Sequence, residues 1–447
     1  MEEAVATPTE LSFDQALSLG VQMLRVGALD DAERLYRVLG EMAPGDPNVL
    51  HFSGVLAHHQ GRSDEAIALI QRSLELQSDQ ADWYSNLGIV YKATQQFDKA
   101  IAAYERAIAL NPTHVNAYNN LGVLLRATAQ PVEAEAAYRK ALEIDPQFID
   151  AYHNLGVLLA SVNRTKEAVI CYCKVTTLSP RHPDTRRMLG LAYCVLGERE
   201  KAIELYEEWL KDDPENPVVM HLLAGCTGRD VPARTSDACV QIIFDNFAAS
   251  FESKLAHLQY RAPALVHMML EGSGRTPARD MDVLDAGCGT GLCGPLVAPY
   301  ARRLSGVDLS AGMLEQARSK EIYDDLVQGE LSRFLQDRPG AFDLIVSADT
   351  LVYFGGLEEV VAAARAALRP GGLFVFTLEE LVVDDEGLEH QLEPHGRYAH
   401  AQRYAEAVLH GSGFGTDIVH AELRMESGSP VPGLVIRATA VEGEAHA

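Results

Sequence analysis

Basic residues are scarce in this chain: 38 Lys and Arg stand against 63 Asp and Glu, a formal net charge of −25 over 447 residues. A surface this acidic repels a phosphate backbone, which argues against nucleic acid as the main ligand. Long apolar runs are missing as well, so no membrane span is expected. The first residues, Met1 to Val5, lack the basic start and apolar core of a signal peptide. The seven cysteines, Cys171, Cys173, Cys194, Cys226, Cys239, Cys288 and Cys293, are an odd set without the paired framework of a secreted domain. Cys171 and Cys173 share one helical stretch, where residues two apart diverge, so no metal site is expected. These absences point to a cytoplasmic protein with reduced thiols; they leave its oligomeric state open.

What is present first shows as a period. Gly20, Gly54, Gly88, Gly122, Gly156 and Gly190 recur every 34 residues, as do Ala32, Ala66, Ala100, Ala134, Ala168 and Ala202. Small residues in one register let paired helices approach, and Tyr36, Tyr104, Tyr138, Tyr172 and Tyr206 supply bulk one turn after the repeat alanine. Pro44, Pro112, Pro146, Pro180 and Pro214 close the second helix of each repeat, with Ser78 in that place once. The pattern closely resembles the tetratricopeptide family: six repeats over 13–216, a closing helix from about Pro217 to Leu223, and a tail over 1–12. Such solenoids bind through their concave face. Asn86, Asn120 and Asn154 occupy one repeat position and would form a ladder of amides suited to the backbone of an extended protein or peptide. A similar Asn ladder holds protein substrates in the repeat arm of O-linked N-acetylglucosamine transferases. Repeat consensus alone is the competing reading, because Ser18, Phe52 and Met188 stand at that position elsewhere.

A different grammar begins after a Gly- and Pro-containing link, 226–235. Val283-Leu284-Asp285-Ala286-Gly287-Cys288-Gly289-Thr290-Gly291 reads as a buried strand running into an acid and a glycine turn. A carboxylate two residues before the first glycine repels phosphate and suits a cationic ligand. A second strand closes on Asp308, near the roughly 20-residue offset at which an acid reaches a ribose diol. Strands at Asp325 to Gln328 and Phe342 to Ser347 follow, then the turn Leu368 to Gly372 and a fifth strand, Leu373 to Thr377. Strands alternating with helical stretches imply a doubly wound parallel sheet with ligands at the carboxyl ends of its strands.

Residues 236–447 thereby resemble a class I S-adenosylmethionine-dependent methyltransferase. The glycine loop, the acid after the second strand and Leu-Arg-Pro-Gly-Gly before the fifth match that family in order. The expected fold is therefore two-domain: an all-α solenoid over 13–225, then a Rossmann-like α/β domain. The resemblance implies S-adenosylmethionine held by Asp285, Gly287, Cys288, Gly289 and Gly291 at its methionine part. Asp308 and Leu309 would serve the ribose, and Met313, Glu330 and Leu331 the adenine, with Glu330 where many relatives carry Asp. Asp349 is either a cofactor ligand or a strand-end cap. From the link onward the chain is also similar to a bacterial group of repeat-linked methyltransferases that carry Gly-Arg-Tyr-x-His, here Gly396 to His400. Some of that group are described as acting on DNA. Ser347-Ala348-Asp349-Thr350 lacks the Pro-Pro loop and the Pro-Cys nucleophile that base methylation uses, which argues against DNA.

Methyl transfer mainly requires a positioned acceptor, and a base only where the acceptor holds a proton. His400 is the first candidate base, expected near the start of a helix at the acceptor pocket; Tyr353, Glu379 and Arg397-Tyr398 are the others. Phe247, Phe251 and Tyr260 read as lid aromatics or as core. Asp384-Asp385-Glu386 reads as a solvated loop. The expectation is O- or N-methyl transfer to a protein, peptide or carrier-bound acceptor recruited by the repeats. A free small-molecule acceptor with an assembly arm, or a non-catalytic scaffold, is the alternative.

Overall fold

The computed structural model describes residues 11–245, 247–248, 251–252, 255, 258–382, 387–426 and 429–441. Asp384 to Glu386 lie outside the described residues. Contacts divide the chain into two compact units, Met1–Leu159 with Glu167–Thr185, and Ala160–Lys166 with Arg186–Ala447.

The first unit is built from helix pairs: α1 (Phe13–Val26) with α2 (Leu29–Met42), α3 (Pro47–His59) with α4 (Ser63–Leu76), α5 (Ala81–Ala93) with α6 (Phe97–Leu110), and α7 (Val115–Ala127) with α8 (Pro131–Ile144). α9 (Ile149–Ser161) and α10 (Thr165–Leu178) follow. The periodic residues explain the pairing. Tyr104, Tyr138 and Tyr172 are fully buried, and a Cβ placed at Gly88 or Gly122 would come within 2.6 Å of the facing ring. The glycine and tyrosine of each such repeat are therefore one packing unit. In the second repeat Ile70 takes the place of the ring, facing Gly54. Helices α2, α6, α8 and α10 stop shortly before Pro44, Pro112, Pro146 and Pro180, since a residue preceding proline avoids the helical region.

In the second unit, α12 (Arg199–Asp212) and α13 (Pro217–Thr227) continue the pattern, and Gly190 of α11 (Pro183–Val195) faces Tyr206. α13 runs into the expected link. Asn216 caps its start by accepting from the Val218 and Val219 amides, and Gly228 ends it with φ 67°. The remainder of the link is bound to the sheet domain: the Thr235 amide donates to the Tyr353 carbonyl at 2.8 Å and Gly355 donates to Ala233 at 2.8 Å. The expected domain start at 236 thus cuts through a hydrogen-bonded segment.

The sheet orders its parallel strands β3 (Asp325–Gln328), β2 (Ala301–Asp308), β1 (Met281–Ala286), β4 (Phe342–Ser347) and β5 (Leu368–Glu380). A hairpin of β6 (His390–Leu392) and β7 (Tyr398–His400) joins the carboxyl end of β5. β9 (Ser429–Ala440) runs antiparallel on β5, and β8 (Phe414–Glu426) pairs with β9. Alternate residues of the central strands feed two apolar layers, with Leu284, Ile345, Phe374 and Ile436 on one face and Val283, Leu344, Val375 and Val435 on the other. The order reverses at β1, between β2 and β4, which opens a crevice at the carboxyl ends of those strands.

Candidate functional site

That crevice is a cavity of about 410 Å³. One side is formed by Asp285, Gly287, Cys288, Gly289, Asp308, Leu309, Met313, Glu330 and Leu331, so the structure brings these expected cofactor residues together. Gly291 is not among the lining residues; with φ 85° it turns the loop beneath Tyr323.

Asp285, at 1% exposure, accepts from the Tyr323 hydroxyl at 2.7 Å. Burial pushes its carboxyl up to about 7, while the Tyr323 bond works the other way. Asp308 ends β2 and ties down the glycine loop, accepting from the Gly289 amide at 2.9 Å and the Ser310 amide at 2.8 Å. Burial raises its carboxyl too, against those amides. Glu330 departs from the adenine role in one respect: both of its oxygens already accept, from Ser332 at 2.9 Å and Arg333 at 2.8 Å, capping the helix Leu331–Gln336.

The opposite wall has an apolar part and a polar part. Phe244, Phe247, Phe251 and Tyr260 line the cavity, so the expected lid aromatics do face it. Their segment is fastened to the loops of the other side. Glu252 accepts from Thr290 at 2.7 Å and Lys320 at 2.8 Å, and Asp245, at the end of α14 (Asp237–Asp245), accepts from the Ser310 hydroxyl. Tyr353 stands on a short 3-10 turn, edge-on to Phe244 at 5.6 Å, and burial pushes its hydroxyl up to about 12.

The polar part is an ion-pair network. Arg424 of β8 pairs with Asp349 at 2.6 Å, with Glu379 and with Glu426. Arg397 pairs with Glu379 and Glu426 at 2.5 Å each. Burial alone would raise the carboxyls, but the arginines prevail and hold Glu426 down at about 2 and Glu379 below its ordinary range. Burial and Arg397 bring His395 down to about 4, so its ring is neutral. Asp349 takes a left-handed conformation, φ 53°, at the end of β4, fixed by Thr377 on its amide and Arg424 on its carboxylate.

Two expectations about proton transfer need correction. His400 lies within β7, not at the opening of a helix, which starts at Gln402. It is fully buried, bonds the Gly355 carbonyl at 3.1 Å and is absent from the cavity wall. Glu379 is absent from the wall as well and is held by two arginines. Among the candidate bases only Tyr353 lines the cavity, together with Arg397. Sequence reading missed Tyr323, His395, Arg424 and Glu426. Their partners lie far along the chain, and no local pattern signals them.

The expected amide ladder is on α5, α7 and α9, with Asn86, Asn120 and Asn154 half-buried. Asn86 bonds His51 at 3.0 Å, and Asn154 donates to Asn119 at 3.0 Å, so two of the three amides also link neighbouring repeats.

Family models described as "Methyltransferase domain" match residues 283–372, and tetratricopeptide models match 45–147, 133–163, 149–182 and 183–226. The chain is 36% identical over 140 residues to Methyltransferase-like protein 27 of Homo sapiens, covering 30% of this chain and 55% of that protein. It is 34% identical over 143 residues to a malonyl-[acyl-carrier protein] O-methyltransferase of Geobacter sulfurreducens, covering 31% and 52%. The chain thus spans about half the length of these curated relatives. Among solved structures it is similar to pilF of Pseudomonas aeruginosa, 17% identical, covering 46% of this chain and 93% of that one with a TM-score of 0.41. The chain carries tetratricopeptide repeats followed by a domain that the methyltransferase family model matches.

Proposed function

We propose that the protein transfers a methyl group from S-adenosylmethionine to an oxygen or nitrogen of an acceptor presented by a protein, peptide or carrier that the repeats recruit. The observation that carries this reading is one continuous cavity, with Asp285, the glycine loop and Asp308 on one side and an aromatic and ionic wall on the other. These residues fit the cofactor. Asp285 is a buried carboxylate at the cavity wall and suits the ammonium group. Asp308 keeps lone pairs for a ribose hydroxyl beyond the two amides it accepts. Met313 and Leu331 give apolar surface for the adenine ring. When bound, S-adenosylmethionine supplies the methyl as a sulfonium substituent open to direct displacement.

The chain's own part is to bind, orient and keep water out. Phe244, Phe247 and Phe251 cover the crevice, with Glu252 and Asp245 latching that cover. Arg397, Arg424, Tyr353 and His395 orient the acceptor. On the acceptor wall, Tyr353 stays protonated, His395 is neutral with weak basicity, and Glu426 is held ionised by arginine, so none of these three is a strong base. An acceptor oxygen that arrives already ionised, as a carboxylate does, needs none. The relatives named for O-methylation of an acyl carrier's malonyl group support that choice and a carrier-bound acceptor.

The test is titration of the full chain with S-adenosylmethionine, then transfer of labelled methyl into cell extract. The label should be lost as methanol in mild alkali, the mark of an ester. A base-stable label would move the acceptor to nitrogen or an ether oxygen. Asn86→Ala, Asn120→Ala and Asn154→Ala together should weaken acceptor capture by roughly 0.5–1.5 kcal/mol per bond lost, without reducing helix content. Unaltered capture would reduce the ladder to contacts between repeats.

A further inference from the structure

The polar wall is carried by the five-residue turn between β6 and β7, Glu393 to Arg397, which places His395, Gly396 and Arg397 on the cavity. On the cavity side the turn is held by the ion pairs of Arg397 with Glu379 and Glu426. Two backbone bonds close it, Glu393 N–H to the Arg397 carbonyl at 2.9 Å and Gly396 N–H to the Glu393 carbonyl at 2.8 Å, and Gly396 sits at φ 89°. Its outer support comes from α13, which by sequence closes the repeats and lies some 170 residues earlier.

His221 of α13, 6% exposed, bonds the Gly396 carbonyl at 2.9 Å and meets Thr235 Oγ1 at 3.2 Å through the same Nε2. A carbonyl only accepts, so Nε2 carries the hydrogen, and burial keeps the ring neutral by lowering its pKa. Gly225, one turn on, lets the helix backbone lie directly on the turn: a Cβ there would come within 2.7 Å of the Glu393 carbonyl oxygen. Ala224 packs with Leu392 and Tyr398 in a small buried cluster at the base of the hairpin. The Tyr398 hydroxyl donates to Pro232 at 2.6 Å, tying the hairpin to the residues that follow α13.

We propose that α13 is part of the methyltransferase site, and that His221 is a positioning residue that sets the Glu393 to Arg397 turn, and with it Arg397 and His395, against the acceptor. The inference rests on the acceptor wall assigned above. It gives the last repeat helix a role apart from recruitment: cofactor binding does not need it, whereas a correctly shaped acceptor wall does.

The test compares full-length wild type, His221→Phe, His221→Gln and Gly225→Ala by amide hydrogen exchange and by titration with S-adenosylhomocysteine. In His221→Phe the Glu393 and Gly396 amides should exchange at least tenfold faster, with β1 to β5 unchanged and S-adenosylhomocysteine bound as in wild type. Glutamine can place an N–H at the Gly396 carbonyl, so His221→Gln should restore protection. Gly225→Ala, favourable to the helix itself, should loosen the same turn by crowding Glu393. Labelled methyl transfer into extract should fall at least fivefold in His221→Phe and recover in His221→Gln. Wild-type exchange in both His221→Phe and Gly225→Ala, or a glutamine variant as loose as the phenylalanine one, overturns the proposal. Failure of wild type to bind S-adenosylhomocysteine would instead overturn the assigned function, leaving the exchange result to stand separately.

Discussion

Tyr323 gives its hydroxyl hydrogen to Asp285 Oδ2 at 2.7 Å across 38 residues of chain. The acid lies near the end of β1, whereas the tyrosine precedes β3, and the register that sets Asp285 opposite Gly306 and Gly306 opposite Leu326 brings the two together. The bond steadies a carboxylate that burial would otherwise keep protonated.

Burial pushes the Asp285 carboxyl up to about 7, so S-adenosylmethionine affinity should weaken by up to tenfold per pH unit below 7 and level off above it. Tyr323→Phe should shift that fall to higher pH. Stability of the cofactor-free fold runs the other way. Between about pH 4 and 7 the folded acid holds a proton that the unfolded one, with a pKa of about 3.9, has released. This group therefore costs stability as pH rises through that window. Titration calorimetry from pH 5.5 to 8 checks the first point, and a flat affinity would remove Asp285 as the cation ligand.

Two glycines of the loop should fail differently. A Cβ at Gly287, φ 71°, falls inside the Thr350 side chain, whereas one at Gly289, φ 54°, which lines the cavity, meets nothing within 4 Å. Gly287→Val should lower the melting temperature and abolish cofactor binding. Gly289→Ala should cost about 1–2 kcal/mol for its left-handed backbone, yet fold and lose cofactor affinity. Thermal unfolding and titration on the same samples separate the cases; tight binding by Gly287→Val would show that the turn is not the cofactor loop.

Arg424 serves three carboxylates from a buried position. Arg424→Met should destabilise the second unit by about 3–5 kcal/mol, because Asp349 and Glu379 are left as buried charges with fewer partners. Urea unfolding measures the loss. Glu426, held down at about 2, contributes stability that is present above about pH 4.3 and lost as pH falls towards 2.

His400→Ala should lose about 1–3 kcal/mol of stability through the missing bond to Gly355, with cofactor affinity and the pH profile of methyl transfer unchanged. Burial lowers the ring pKa to about 4, so the unfolded chain takes up a proton first. His400 therefore favours folding fully above about pH 6.5, and its contribution falls away as pH drops towards 4. A pH-dependent loss of turnover without a stability change would return His400 to the chemistry.

The two architectures were legible in the sequence because each is local or periodic. A 34-residue period needs no knowledge of distant contacts, and an acid followed by a glycine turn describes one strand end. Hence the helix pairs and the parallel sheet followed expectation, and Asp285, Gly287, Gly289, Asp308 and Met313 line one cavity. The wall proposed for the acceptor was not legible, because its parts come from the turn before β7, the end of β4 and β8, and only sheet pairing joins them. Gly-Arg-Tyr-x-His drew attention to His400 by composition. Strand alternation then turned His400 into the core, while the turn just ahead of the strand carried His395 and Arg397 to the cavity. Residue type and spacing determined which groups were available; burial and ion pairing decided which of them face the cavity and with what charge.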